Sequence, residues 1–300
     1  MRVIHDLNDI RRVSNAVVAI GVFDGVHRAH RTIIKAAIER ARRIGGSAVV
    51  VTFWPHPRGQ ESVYSLEHRL RLFEQLGVGL CVVLPFTRSF ARLSPEAFAN
   101  KIICGCLKAR AVYVGGNFRF GRGAAGDASD LSRLLKPCGV TVRVFKMLKT
   151  HGTIVSSSYI RQLISRGKLA AARKLLMRPV SVYGHVVHGT GRGTRLGFPT
   201  ANIDPHHEIS PPSGIYAVRV LFNGTKAKGI CYIGTRPTFR RSNACPSIEV
   251  HILRFKKSLY GKYLEAQFIK KIRNDKAFES PEALVGQIKR DIIKAKKILS

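Results

Sequence analysis

The chain has 300 residues, 45% of them hydrophobic and 23% charged, which suits two globular domains of ordinary size. Its 51 Lys and Arg against 18 Asp and Glu give a formal net charge of +33, spread evenly over both halves; that favours phosphorylated ligands in general and argues against a dedicated nucleic-acid partner. No run approaches about 18 consecutive apolar residues and "MRVIHDLNDIRRVSN" has no apolar leader, so a helical membrane span is excluded and a cytoplasmic protein is expected.

In the first half, short apolar runs alternate with segments of helical period. "NAVVAIGVF" precedes "RTIIKAAIERARRIG", which sets Ile34, Ala37, Ile38 and Ala41 on one face. "GSAVVVTF" precedes "SLEHRLRLFEQLG", and "GLCVVLPF" precedes "SPEAFANKIICGCL", with Ser94 placed as N-cap and Pro95 at the first helical position. "RAVYVGG" and "GVTVRVF" bracket a helix around "ASDLSRLLKPCG". Five strands with helical connections predict a doubly wound parallel sheet that binds ligands at the carboxyl ends of its strands. The helical stretch "SSYIRQLISRGKLAAARKLLMRP" closes this domain, which gives a boundary near Pro179 and domains of 1–179 and 180–300.

From Val180 the texture changes. "VSVYGHVVHG", "GIYAVRVLFNGTKAKGICYIG", "SIEVHILRF" and "LEAQFIKKIR" are strand-like runs divided by Gly, Asn and Pro, and a helix, "SPEALVGQIKRDIIKAKKIL", follows them. Consecutive strands with turn-length breaks predict an antiparallel sheet or barrel. The six cysteines (Cys81, Cys104, Cys106, Cys138, Cys231, Cys245) lie mostly in apolar runs and read as reduced core thiols, with nothing beside Cys104-Gly-Cys106 to complete a zinc site.

Two stretches carry chemistry. In "GVFDGVHRAHRTIIKAA", a strand ending in Gly21-Val22-Phe23-Asp24-Gly25 runs into a helix and puts His27 and His30 one turn apart at its N-terminus. Backbone N–H groups and the helix dipole favour phosphate there; taken alone, the pair also fits two exposed loop histidines. In "GRGTRLGFPTANI", glycines permit close approach to phosphate, and Thr200 and Asn202 share one face of a strand. Those hard oxygens suit Mg²⁺ on a nucleotide's phosphates, and a plain turn is the alternative.

The first stretch resembles the HxGH signature of the nucleotidyltransferase superfamily, in its flavin-nucleotide branch. "TFWPHPR" (Thr52 to Arg58) is similar to TFxPHP, "VGGNFRFGRGAAGD" (Val114 to Asp127) to GxNFxFG…GD, and "VSSSYIR" (Val155 to Arg161) to ISSTxIR. The second half resembles riboflavin kinase: GxPTAN within Gly191 to Ile203, then "GIYAV", "IGTRPTF" (Ile233 to Phe239), "IEVHIL", "LYGKYL" and "KKIR". In order and coverage the chain resembles the prokaryotic bifunctional riboflavin kinase/FAD synthetase family. The resemblance implies an α/β nucleotidyltransferase domain followed by an antiparallel β-barrel kinase domain with a terminal helix. It also implies FMN synthesis from riboflavin and FAD synthesis from FMN, with ATP as co-substrate and Mg²⁺ as cofactor.

By the same resemblance His27 and His30 contact ATP phosphates, Asn117 lies near the nucleotide and flavin phosphates, and Arg161 neutralises charge on the triphosphate beside Ser156 and Ser157. Gly21, Phe23, Asp24, Gly25, Phe53, His56 and Pro57 complete the ATP and flavin site of the first domain. In the second, Gly191, Gly193, Gly197 and Pro199 approach the nucleotide, Thr200 and Asn202 hold the metal, and Glu249 is the general base. Departures from the family pattern are Ala29 in place of the HxGH glycine, Thr194-Arg195 displaced by one, Tyr232 in place of Asn, and Arg254 after "HIL". If the backbone must take positive φ or approach a phosphate at Ala29, the methyl group weakens ATP binding by about 1 kcal/mol or more. Two further readings follow: a riboflavin kinase with an impaired adenylyltransferase half, and a non-enzymatic RNA- or flavin-sensing protein on the same folds. Self-association is compatible with each.

Overall fold

A computed structural model describes residues 1–10, 13–59, 61–150, 152–235, 246–255 and 257–300. The chain forms two compact units, one of Met1–Gln60 and Arg69–Ser157, the other of Glu61–His68 and Ser158–Ser300.

The first unit is built on six parallel strands: β1 (Arg2–Ile4), β2 (Ala16–Ile20), β3 (Ala48–Trp54), β4 (Leu80–Pro85), β5 (Ala109–Gly115) and β6 (Thr141–Phe145), in the order β1-β4-β3-β2-β5-β6. All five residues of β2 are buried, as expected for a strand covered on both faces. Edge strand β6 instead exposes Thr141, Arg143 and Val144 and half-buries Val142 and Phe145. Helix α1 (Arg28–Arg43) buries Ile33, Ile34, Ala37, Ile38 and Ala41, the predicted face widened by one residue. The doubly wound sheet expected from the sequence is present, with β1 added at the edge beside β4. The chain winds from β2 to β3 in one direction and from β5 to β6 in the other, so the adjacent pair β2 and β5 marks the switch point. A doubly wound sheet opens its crevice there, beyond the carboxyl ends of the two strands.

Cys104 and Cys138 are joined in a disulfide with their Cα atoms 6.3 Å apart, where reduced thiols were expected. They stand 34 residues apart in sequence and meet only because the helical turns of Phe98–Cys106 pack near the turn that follows helix Ala128–Leu135. Cys81 and Cys231 are buried free thiols, and burial pushes the Cys81 thiol up to about 12; Cys106 is exposed, and Cys245 lies outside the described residues.

The second unit holds a closed antiparallel barrel. Its strands are β7 (Val180–Val187), β8 (Ala201–Asp204), β9 (Gly214–Phe222), β10 (Thr225–Thr235), β11 (Pro246–Ile252) and β12 (Tyr263–Arg273), ordered β7-β8-β11-β10-β9-β12 and closing onto β7. Asn223 (φ 45°) and Gly224 (φ 75°) make the two-residue turn between β9 and β10, the conformation that matches strand twist in a hairpin. The terminal helix Pro281–Leu299, capped by the Ser280 hydroxyl, lays Ala295 and Leu299 against Ile215, Ala217 and Ile230 of the barrel. Asp291 of that helix is buried and accepts from Arg273 Nε at 2.9 Å and Gln287 Nε2 at 2.8 Å. A second buried carboxylate, Glu208, accepts from the Ser65 amide and hydroxyl at 2.9 and 2.7 Å and the Tyr183 amide at 3.1 Å, and meets His68 Nδ1 at 3.0 Å. Those partners make segment 61–68 part of the second unit.

Candidate active sites

Both loops at the switch point of the first unit carry motif residues. After β2 the backbone turns tightly through Phe23 (φ 51°), Gly25 (φ 79°) and Val26 (φ 41°), closed by the Val26 amide donating to the Phe23 carbonyl at 3.0 Å. Two non-glycine residues held in the left-handed region mark a backbone fixed by its surroundings. Phe23 is buried, its ring edge-on to His30 and Phe73; a Cβ on Gly21 would stand 3.2 Å from that ring. His27 is the N-cap residue of α1 and is 3% exposed, and its ring stacks on His30 with centroids 3.6 Å apart. Ala29 lies in the first turn of α1 with an ordinary helical backbone. Positive φ is therefore no part of this position, and the alanine differs from glycine there in the reach of its methyl group and in helix propensity.

The loop after β5 needs its glycines for space. A Cβ on Gly121, at φ 75°, would overlap Pro95 at 2.7 Å, and one on Gly115 would stand 3.3 Å from the Asn117 side-chain oxygen. Asn117 itself is exposed. Ser156 immediately precedes helix Ser157–Ser165, and Ser157, the last residue of the first unit, donates through Oγ to the Asp24 carbonyl at 2.8 Å. Arg161, one turn further along, bonds Ser158 Oγ at 3.1 Å. At the end of β3, Phe53 packs into the core against Phe86 and Phe90, Trp54–Pro55 is cis, and His56 Nδ1 accepts from the Arg58 amide, with Pro57 between them.

Arg69 was not singled out from sequence. It is 1% exposed, and its Nη1 donates to the Val22 carbonyl at 2.5 Å and to Thr52 Oγ1 at 2.9 Å, while Thr52 Oγ1 also donates to Val22. One guanidinium thus fixes the ends of β2 and β3, from which two motif loops depart. Among 51 basic residues in a helix-period segment, nothing distinguishes this one in the sequence.

In the barrel, the predicted residues converge. Asn202 on β8 and Tyr232 on β10 are the cross-strand partners of Glu249 on β11, so the three side chains form a row on one face. Thr200 Oγ1 donates to Glu249 Oε2 at 3.3 Å and Ser247 Oγ to Oε1 at 3.2 Å. Burial, and then the Asp275 carboxylate that accepts from its hydroxyl at 2.9 Å, push the Tyr232 phenol up to about 12, so it stays protonated at neutral pH. Gly191 (φ 70°) and Gly197 (φ 84°) bound the short helix Arg192–Arg195, which contains Thr194 and Arg195. A Cβ on Gly193 would stand 2.6 Å from the Phe198 carbonyl oxygen and 3.1 Å from Thr200 Oγ1, and one on Gly189 would overlap the Asn202 amide. The Pro199 carbonyl oxygen meets His251 Nδ1 at 2.9 Å. Arg254 is exposed at φ 57°, and "IGTRPTF" runs on into residues 236–239, outside the described residues. Among the described residues no group of three His, Cys, Asp or Glu is placed to hold a metal. No described helix is long and apolar enough to cross a membrane.

A doubly wound sheet with a helix N-terminus at its switch point, and a barrel with converging Thr, Asn and Glu side chains, fit a chain of two nucleotide-handling domains. Comparison with known proteins separates the halves in the same way. The sequence pattern of the FAD synthetase family matches residues 9–159, and that of the riboflavin kinase family matches residues 176–299. The bifunctional riboflavin kinase/FMN adenylyltransferase of Escherichia coli K12 is 34% identical over 305 residues, covering 99% of this chain and 96% of the relative. Its counterpart in Bacillus subtilis 168 is 34% identical over 288 residues, covering 93% and 90%. A crystal structure from Streptococcus pneumoniae described as a macrolide-efflux protein covers 98% of each chain at 29% identity with a TM-score of 0.83. The chain belongs to the bifunctional riboflavin kinase/FMN adenylyltransferase family.

Proposed function

We propose that the chain makes FMN from riboflavin and ATP in its barrel, and FAD from FMN and a second ATP in its parallel-sheet domain. The functional division falls near residue 179, close to the start of the riboflavin kinase match. The observation that carries the reading is the convergence of Thr200, Asn202 and Ser247 on Glu249.

In the kinase reaction, Glu249 accepts the proton of the ribityl 5′-hydroxyl as that oxygen attacks the γ-phosphorus, and the bond to the bridging oxygen breaks to release ADP. A primary alcohol is a poor nucleophile at neutral pH, so proton removal during attack is worth a factor of about 10²–10⁴. Thr200 Oγ1 and the Asn202 amide oxygen fit Mg²⁺, both being hard neutral oxygens beside a carboxylate, with a glycine at 189 leaving room for the amide. Bound there, Mg²⁺ supplies charge neutralisation across the ATP phosphates. Because the Thr200 proton points to Glu249, its lone pairs remain for the cation.

In the adenylyl transfer, a phosphate oxygen of FMN attacks the α-phosphorus of ATP and pyrophosphate leaves. Positioning and charge neutralisation dominate such chemistry. His27 and His30 hold phosphoryl oxygens at the start of α1. Gly21, Phe23, Asp24 and Gly25 shape the loop around them. Asn117, Ser156 and Ser157 orient the nucleotide and flavin phosphates, and Arg161 offsets charge on the leaving pyrophosphate. A cytoplasmic location fits the use of ATP twice.

Incubation of the purified protein with riboflavin, ATP and MgCl₂, followed by chromatography of the flavins, tests the reading. FMN followed by FAD is expected. FMN without FAD would leave a monofunctional kinase, and neither product would remove the enzyme reading.

A further inference from the structure

We propose that Ser247 is a positioning residue for riboflavin phosphorylation, its hydroxyl holding the Glu249 carboxylate in the orientation that receives the substrate proton. The proposal rests on the reading of Glu249 as the general base. Strand β11 alternates: Ile248, Val250 and Ile252 are buried in the barrel, while Ser247, Glu249 and His251 share the other face. Ser247 therefore stands beside Glu249 by the pleat alone. A serine is a poor choice for a buried strand position on propensity grounds, where β-branched and aromatic residues are favoured. Ser247 is 8% exposed, and its hydroxyl donates to Glu249 Oε1 at 3.2 Å.

The second oxygen is held separately, by Thr200 Oγ1 at 3.3 Å. A carboxylate with one donor still turns about its last torsion, which is broad. Two donors, one on each oxygen, fix its plane. Thr200 also belongs to the nucleotide-binding segment, so its bond to Glu249 shares that residue with ATP. Ser247 lies outside that segment, and it keeps the carboxylate aligned through the catalytic cycle. The residue opposite Ser247 on β10 is Gly234, where a Cβ would overlap the Tyr232 phenol. The neighbourhood of the base is thus shaped by a small residue on each of the two strands.

The test is steady-state riboflavin kinase kinetics on the full chain, comparing the parent with Ser247→Ala, Ser247→Thr and Glu249→Gln, each checked for an unchanged melting temperature. The alanine variant is expected to lose about tenfold in kcat with both KM values within twofold, a fraction of what a general base contributes. Threonine keeps the hydroxyl and should restore most of kcat. A Ser247→Ala kcat within twofold of the parent, with Glu249→Gln inactive, overturns the role of Ser247 and leaves the base intact. Glu249→Gln at the parent rate overturns the base and this proposal together. A loss in Ser247→Ala that appears in KM, and that threonine does not repair, marks a structural residue and also refutes the proposal.

Discussion

Replacing Ala29 by glycine separates two effects that the sequence leaves fused. The position has a helical backbone in the first turn of α1, so glycine relieves no backbone strain there and instead loosens the helix. Glycine costs about 0.8–1 kcal/mol against alanine inside a helix, and this is an upper bound for a first-turn position. For a unit of this size that corresponds to a fall in melting temperature of about 2–4 °C at most. The gain is room. Ala29 is half-buried in the first turn of α1, the turn that also carries His30, whose ring stacks on His27 at 3.6 Å. If the methyl costs ATP about 1 kcal/mol, removing it lowers KM for ATP about fivefold, since 1.4 kcal/mol is tenfold. Initial rates of FAD formation from added FMN, measured against ATP concentration, read this directly. A KM for ATP that stays constant or rises in Ala29→Gly refutes the argument and makes the alanine neutral.

Gly193→Ala brings a Cβ within 2.6 Å of the Phe198 carbonyl oxygen and 3.1 Å of Thr200 Oγ1. Overpacking of about 1–3 kcal/mol should displace Thr200, reduce FMN formation about tenfold or more, and leave FAD formation from FMN intact, as product chromatography would show. Arg69→Met removes the donor to Val22 and Thr52 and should depress FAD formation more than FMN formation, with the kinase rate of the same sample as control. Equal loss of both rates would mean a general stability role for Arg69.

The strands that organise both units were legible because a buried strand writes itself as an apolar run: "AVVAI" and "AVVVTF" need no tertiary information. Ser94 and Pro95 fixed their helix start for the same local reason. β1 is three residues long, too short for any period, and exists because Arg2–Ile4 finds Leu80–Val82 beside it. The row of Asn202, Glu249 and Tyr232 depends on register between strands separated by up to 47 residues, so spacing alone could not align it. Arg69, Ser247 and the Glu208 cluster share one reason for being missed. Their side chains look like ordinary surface residues until the fold buries them and supplies a partner.

In the proposed function one chain holds two flavin-nucleotide sites, and Glu249 serves only the first reaction. The direct measurement offers Glu249→Gln riboflavin in one vessel and FMN in another, each with ATP and MgCl₂, and separates the products. The expected result is no FMN from riboflavin at a time when the parent has converted it, and FAD from FMN at the parent rate. FMN formed at the parent rate, or FAD formation lost along with it in a folded variant, would contradict it.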